Sequence, residues 1–165
     1  MLRYTLTACA LGRLLLAGTD RGVCAVYLGE EDDRLAAELA REFPAAEVAP
    51  DDEGLRPWAR EVVRHLAGQQ PHLELPLDVR ATAFQWRVWQ ELRKIPAGST
   101  RTYREVAEAL GRPTAARAVA RACATNPVAL IVPCHRVIRE DGDLAGYRWG
   151  LQRKQQLLDA EKGQK

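Results

Sequence analysis

The apolar rhythm of this chain changes near residue 80, and that change most narrows what it can fold into. Before it stand short apolar or alternating runs at residues 2–8, 13–17 and 23–28, separated by Gly12 and by the turn residues Thr19-Asp20-Arg21-Gly22. Such runs divided by tight turns predict an antiparallel meander. Residues 32–43 then place Leu35, Leu39 and Phe43 on one helix face, and Pro44 stops the helix. A second helix is expected over residues 55–66, because the preceding Asp51-Asp52-Glu53 suits the positive end of a helix dipole. Residues 69–80, with Pro71 and Pro76, read as an extended linker.

Beyond the linker the pattern is helical. Phe84, Val88, Leu92 and Ile95 share a face, with Thr82 as candidate N-cap and Pro96-Ala97-Gly98 as the stop. Trp86 and Trp89 lie off that stripe, so at least one is expected to pack against the other domain. The chain therefore divides into an α/β domain over residues 1–80, with a small antiparallel sheet plus helices, and a mainly α domain over residues 81–165.

Charge follows the same division. The whole chain is nearly balanced, 24 Lys+Arg against 22 Asp+Glu. Residues 1–80 carry 9 basic and 14 acidic side chains, and residues 81–165 carry 15 and 8. A basic half fits a nucleic-acid partner, and it fits a plain solvated surface equally well. The hydrophobic fraction of 47% excludes a disordered chain, and no apolar run nears the ~18 residues of a spanning helix. A soluble, intracellular protein is the expectation. The four cysteines, Cys9, Cys24, Cys123 and Cys134, form no CxxC pair and indicate neither a disulfide framework nor a zinc ribbon.

Two short helices, residues 103–110 and 115–124, are joined by Gly111-Arg112-Pro113-Thr114, the outline of a helix-turn-helix. The second helix is small-sided, with Ala115, Ala116, Ala118, Ala120, Ala122 and Ala124, which fits close approach to a groove or ordinary core packing. Arg117 is its one long cation near the start. It could replace a base removed from the stack, grip phosphate, or be a surface arginine.

The stretch from Thr125 to Ile138 is the most informative. Asn126-Pro127 leads into an apolar, β-branched run that delivers Cys134 beside His135 and Arg136. Cysteine is nucleophilic as thiolate, and imidazole and guanidinium neighbours favour that form. On an extended strand adjacent side chains point apart, so the pair would need a turn or a bridging water. A relay of that kind uses a carboxylate to orient the imidazole, and Glu161, at the end of a last helix read over residues 151–160, is a candidate. Taken alone, a Cys-His neighbour pair also fits metal ligation or packing.

Pro133-Cys134-His135-Arg136-Val137 resembles the acceptor signature of the O6-alkylguanine-DNA alkyltransferases. Thr102-Tyr103, Ala116-Arg117-Ala118-Val119, Gly146-Tyr147-Arg148-Trp149-Gly150 and Lys154-Gln155-Gln156-Leu157-Leu158 match the same family in order, the Tyr-Arg-Trp-Gly version being close to that of Ada-type members. The resemblance is strong over residues 82–161 and weak over 1–80. It implies an RNase H-like first domain and a winged helix-turn-helix-like second one. It implies DNA repair by irreversible, single-turnover transfer of an alkyl group, methyl foremost, from O6-alkylguanine to Cys134 after base flipping, with O4-alkylthymine left open. A non-catalytic sensor of alkyl lesions is the alternative. Cys134 would be the acceptor, His135 its base through a water, Glu161 the holder of the imidazole and Asn126 the brace of the turn. Tyr103 would serve N3 of the leaving base. Arg117 would fill the gap in the duplex, with Thr114, Ala115, Ala116, Ala118 and Arg136 on the DNA face. Phosphate contacts would come from Arg101, Arg104, Arg112 and Arg121. The alkylguanine pocket would use Tyr103, Cys123, Val137, Tyr147, Arg148 and Trp149. The implied partner is double-stranded DNA carrying the lesion, met by a monomer in the bacterial cytoplasm, without cofactor or membrane. Some members hold a structural zinc; Cys9, Cys24, His65 and His72 offer no tetrahedral set, so no metal is expected. Trp86 is an unusual bulky choice beside a position usually polar in the family, and the four-cysteine domain that precedes Ada-type members is not expected.

Overall fold

The computed structural model describes residues 1–163, which divide into two compact units, Met1–Val79 and the chain from Arg80 onward. In the first, β1 (Leu2–Cys9), β2 (Gly12–Gly18) and β3 (Val23–Gly29) form the expected meander. The sheet is mixed and not purely antiparallel: a short β4 (Val48–Pro50) runs parallel to β1, giving the order β3-β2-β1-β4. The helices α1 (Asp32–Glu42) and α2 (Asp52–Leu66) pack on the sheet. Leu14, Leu15, Leu16 and Ala17 are all fully buried, so β2 is covered on both faces and loses the alternation of a half-exposed strand. The acidic cluster starts α2 as expected, Asp51 accepting a hydrogen bond from the Gly54 N–H at 2.9 Å.

The supposed linker is docked. The Val23 N–H donates to the Pro76 carbonyl at 2.7 Å, and the Asp78 N–H returns to the Val23 carbonyl at 2.9 Å. Leu73 and Leu75 bury their side chains. Gly22 permits the approach, since a Cβ there would lie 2.6 Å from the Pro76 oxygen. The segment is extended, as its prolines require, but its backbone is satisfied by the edge of β3.

The second unit begins with α3 (Ala83–Leu92), whose Thr82 cap is half of a reciprocal capping box with Gln85. Thr102 and Glu105 form a second such box at the start of α4 (Tyr103–Ala109). Gly111, at φ 75°, turns the chain toward α5 (Ala116–Ala124), so the helix-turn-helix is present. α3, which buries Val88, Trp89 and Leu92, packs on α5, which buries Val119, Ala122 and Cys123. Trp89 fills this unit's own core, its indole N–H donating to the Ala122 carbonyl at 2.9 Å, with Trp86 edge-on against it. A two-residue parallel ladder, β5 (Arg101–Thr102) with β6 (Val137–Ile138), ties the start of α4 to the chain just after Cys134. The last helix, α6 (Leu151–Lys162), closes the unit. Among the described residues no helix is long and apolar enough to cross a membrane.

Candidate active site

The apolar run before Cys134 is not a strand. Residues 128–133 are buried in an irregular turn with Leu130 in the left-handed region at φ 75°, and Cys134–Arg136 form a single 3-10 turn. The run is apolar because it is enclosed, not because it pairs. Asn126 organises it. Its side-chain carbonyl accepts from the Val128 N–H at 2.9 Å, and its amide donates to the Val132 carbonyl at 2.9 Å and to Cys134 Sγ at 3.3 Å. One buried amide thus fixes the turn and solvates the sulfur. Burial pushes the Cys134 thiol above its ordinary pKa, while the Asn126 amide, Lys154 and Arg148 favour the thiolate.

The 3-10 turn removes the difficulty of neighbouring side chains on a strand. His135 is 1% exposed, and its Nε2 lies 2.9 Å from Glu161 Oε1. Burial raises the Glu161 pKa, but hydrogen bonds from His135 and Arg136 outweigh it and bring it to about 2. An ionised carboxylate only accepts, so Nε2 carries the ring proton and Nδ1 the lone pair. The imidazole is thereby set as a base.

Arg136 requires a correction. Expected on the DNA face, it is buried, with its guanidinium on the Glu161 carboxylate at 2.5–3.1 Å and on the Ile95 carbonyl at 2.7 Å. The charge that seemed available to phosphate instead holds Glu161 ionised. A guanidinium desolvated this fully needs such a partner.

Lys154 was not singled out from the sequence. It is fully buried, and its ammonium donates to the carbonyls of Val137 (2.7 Å), Gly146 (3.2 Å) and Leu144. It pins both ends of the loop after Cys134 and leaves a positive charge beneath the thiol. A signal existed: Lys154, Leu157, Leu158 and Glu161 form the i, i+3, i+4, i+7 stripe of α6, and two ionisable groups on a buried stripe mark a function.

A cleft of about 590 Å³ opens above Cys134. Ala116, Ala120 and Cys123 of α5 line it, as do Tyr147 and Arg148 from the loop. Burial and the nearby thiols raise the Tyr103 phenol to about 12, so it lines the cleft as a protonated donor. Val137 and Trp149, expected as pocket residues, are not part of this lining. The Val137 carbonyl serves Lys154, and the Trp149 ring carries the Arg148 guanidinium at 4.6 Å.

Arg117 is exposed and lines the cleft, and its side chain has no hydrogen bond or ion pair among the described residues. Thr114 is exposed beside it, with Ala115, Ala116 and Ala118 half-buried. Of the four arginines assigned to phosphate, Arg101 pairs with Glu91, Arg104 with Glu108 and Glu140, and Arg112 lies over the Phe84 ring. Arg121 is exposed and unpaired among the described residues.

Comparison with known proteins agrees over nearly the whole length. Residues 83–163 match the family described as 6-O-methylguanine DNA methyltransferase, DNA binding domain, and residues 2–79 match its ribonuclease-like domain. The chain is 54% identical over 159 residues to the bifunctional transcriptional activator/DNA repair enzyme Ada of Escherichia coli, covering 96% of this chain and 45% of that protein. It therefore spans about half the length of that relative. The inducible methylated-DNA–protein-cysteine methyltransferase of Bacillus subtilis is 38% identical, covering 89% of this chain and 83% of that one. The crystal structure of Mycobacterium tuberculosis OGT in complex with DNA superposes with a TM-score of 0.81 at 37% identity, covering 99% of this chain and 93% of the other.

Proposed function

The chain belongs to the 6-O-methylguanine DNA methyltransferase family, and from that premise we propose that Cys134 accepts the alkyl group of O6-alkylguanine in duplex DNA, once per molecule. The observation that carries this reading is the Cys134 thiol, held by the Asn126 amide, lining a cleft with Tyr103 and Arg117 and backed by a buried His135–Glu161–Arg136 chain. The first unit serves as support, and the second binds DNA and reacts.

The chemistry follows from the geometry. O6 of guanine is engaged within the duplex, so its alkyl carbon becomes reachable only when the nucleotide is extruded, at a cost of a few kcal/mol. Alanine side chains on α5 let the backbone of that helix approach the DNA, and Arg117 enters the space the base leaves. In the cleft a water carries the Cys134 proton to the imidazole of His135. Glu161 stabilises the imidazolium, and Arg136 keeps Glu161 ionised. The thiolate attacks the alkyl carbon; the S–C bond forms as the C–O6 bond breaks, and the electron pair departs on guanine. Tyr103, protonated at neutral pH, supplies a hydrogen bond or proton at N3 and eases that departure. The thioether has no route back to thiol, so the protein is consumed. We place this work on chromosomal DNA in the cytoplasm.

The test is covalent. Incubation with a duplex containing O6-methylguanine adds the mass of one methylene to the peptide holding Cys134, and Cys134→Ser gains nothing. Lesion-selective binding without that adduct in the parent protein would replace transfer by sensing.

A further inference from the structure

We propose that Arg139 is a second DNA-gripping cation of the cleft, holding a phosphate of the extruded nucleotide from a different element than Arg117; this rests on the alkyl-transfer reading above. Arg139 follows β6 directly, five residues after Cys134. Its side chain lines the same cleft as Cys134 and Tyr103, yet the residue is exposed, so it stands where that cleft meets solvent. Its charge reaches the Tyr103 phenol, opposing in small part the rise that burial and the thiols impose there.

The turn around Arg139 is built to leave that charge available. The Arg139 N–H donates to the Asp143 carbonyl at 2.9 Å, and the Gly142 N–H donates to the Arg139 carbonyl at 3.0 Å, with Gly142 at φ 86°. The backbone that carries the guanidinium is therefore fixed. Three carboxylates share this turn, and each has a partner other than Arg139. Glu140 lies 3.5 Å from Arg104, Asp141 accepts from the Asp143 N–H at 2.9 Å, and Asp143 accepts from the Ala145 N–H at 3.0 Å. Arg139 has no hydrogen bond or ion pair from its side chain among the described residues.

A phosphodiester is the group this arrangement suits. A base that enters the cleft draws its flanking phosphates to the cleft's edge, and guanidinium binds two phosphate oxygens at once. Without Arg139 the turn would present only carboxylates to the DNA backbone, which would repel it. Tyr103, on the same cleft, keeps the base end of the nucleotide. Arg139 then holds its backbone end.

The experiment uses the full chain and a four-cornered comparison. Parent protein and Arg139→Ala are each given lesion duplex with ordinary phosphates or with neutral methylphosphonates flanking the lesion. Arg139→Ala is expected to weaken duplex binding about tenfold and to make its logarithmic salt dependence shallower by about one contact. Arg139→Lys retains the slope. The methylphosphonates weaken the parent but leave Arg139→Ala nearly unchanged, because the contact is already gone. Additive losses, or equal salt slopes, would overturn the assignment. Failure of the parent to methylate Cys134 would instead overturn the transfer reading, so the two failures are separable.

Discussion

The two units bury different things. The core of the first is almost wholly aliphatic, with Thr5 and His65 as its buried polar side chains. The second encloses Asn126, His135, Arg136, Lys154 and Glu161 around the Cys134 thiol. Desolvating charge is costly unless every partner is supplied. Here the partners are supplied, down to three carbonyls for one ammonium. A scaffold has no use for that arrangement. A site that must generate a thiolate away from bulk water does.

This contrast is most easily broken by one substitution in each core. Leu15→Ala in the first unit is expected to cost about 2–5 kcal/mol of stability and to leave alkyl transfer per folded molecule unchanged. Arg136→Leu in the second removes one partner of a buried pair, costing about 3–5 kcal/mol, and lowers the transfer rate of the molecules that remain folded. Urea titration with single-turnover kinetics measures both. Equal rate losses would mean that the polar core is structural packing with charges.

Much of this was legible beforehand, and the reasons are physical. Helix α3 announced itself through Thr82 and a regular apolar stripe, and the α4–α5 pair through the Gly111 turn, all local signals; the Thr102 cap of α4 went unread. The three residues of β4 carry too little pattern and include Pro50, so the parallel pairing with β1 was invisible. The run before Cys134 looked like a strand because burial and pairing select the same side chains. Arg136 was misplaced because its partner lies 25 residues away. Nothing in the adjacent Pro-Cys-His reveals that distance. Lys154 differs: its place on the buried stripe of α6 is legible in the sequence, whereas its carbonyl partners, on an irregular loop, are not.

A pH series sharpens the comparison further. Glu161 titrates at about 2 in the fold, below its ordinary value near 4.5. A depressed carboxylate stabilises the fold fully above its unfolded pKa and loses that contribution as pH falls through the folded one. The stability gap between the parent and Glu161→Gln should be constant above about pH 5 and shrink toward pH 2. A gap independent of pH across that window would contradict the ionised relay. The smallest effect on stability belongs to the exposed Arg117: Arg117→Ala should change it by less than about 0.5 kcal/mol. Repair of duplex substrate should nevertheless fall markedly, and reaction with the free modified base much less. Equal losses on both substrates would remove Arg117 from the duplex.

The central claim is that one thiol is consumed by one reaction. Titrating the protein with an excess of duplex carrying radiolabelled O6-methylguanine tests it directly. The account predicts that label accumulates on Cys134 and stops at one methyl per chain. Transfer that continues past one equivalent, or label on any other residue, would contradict it.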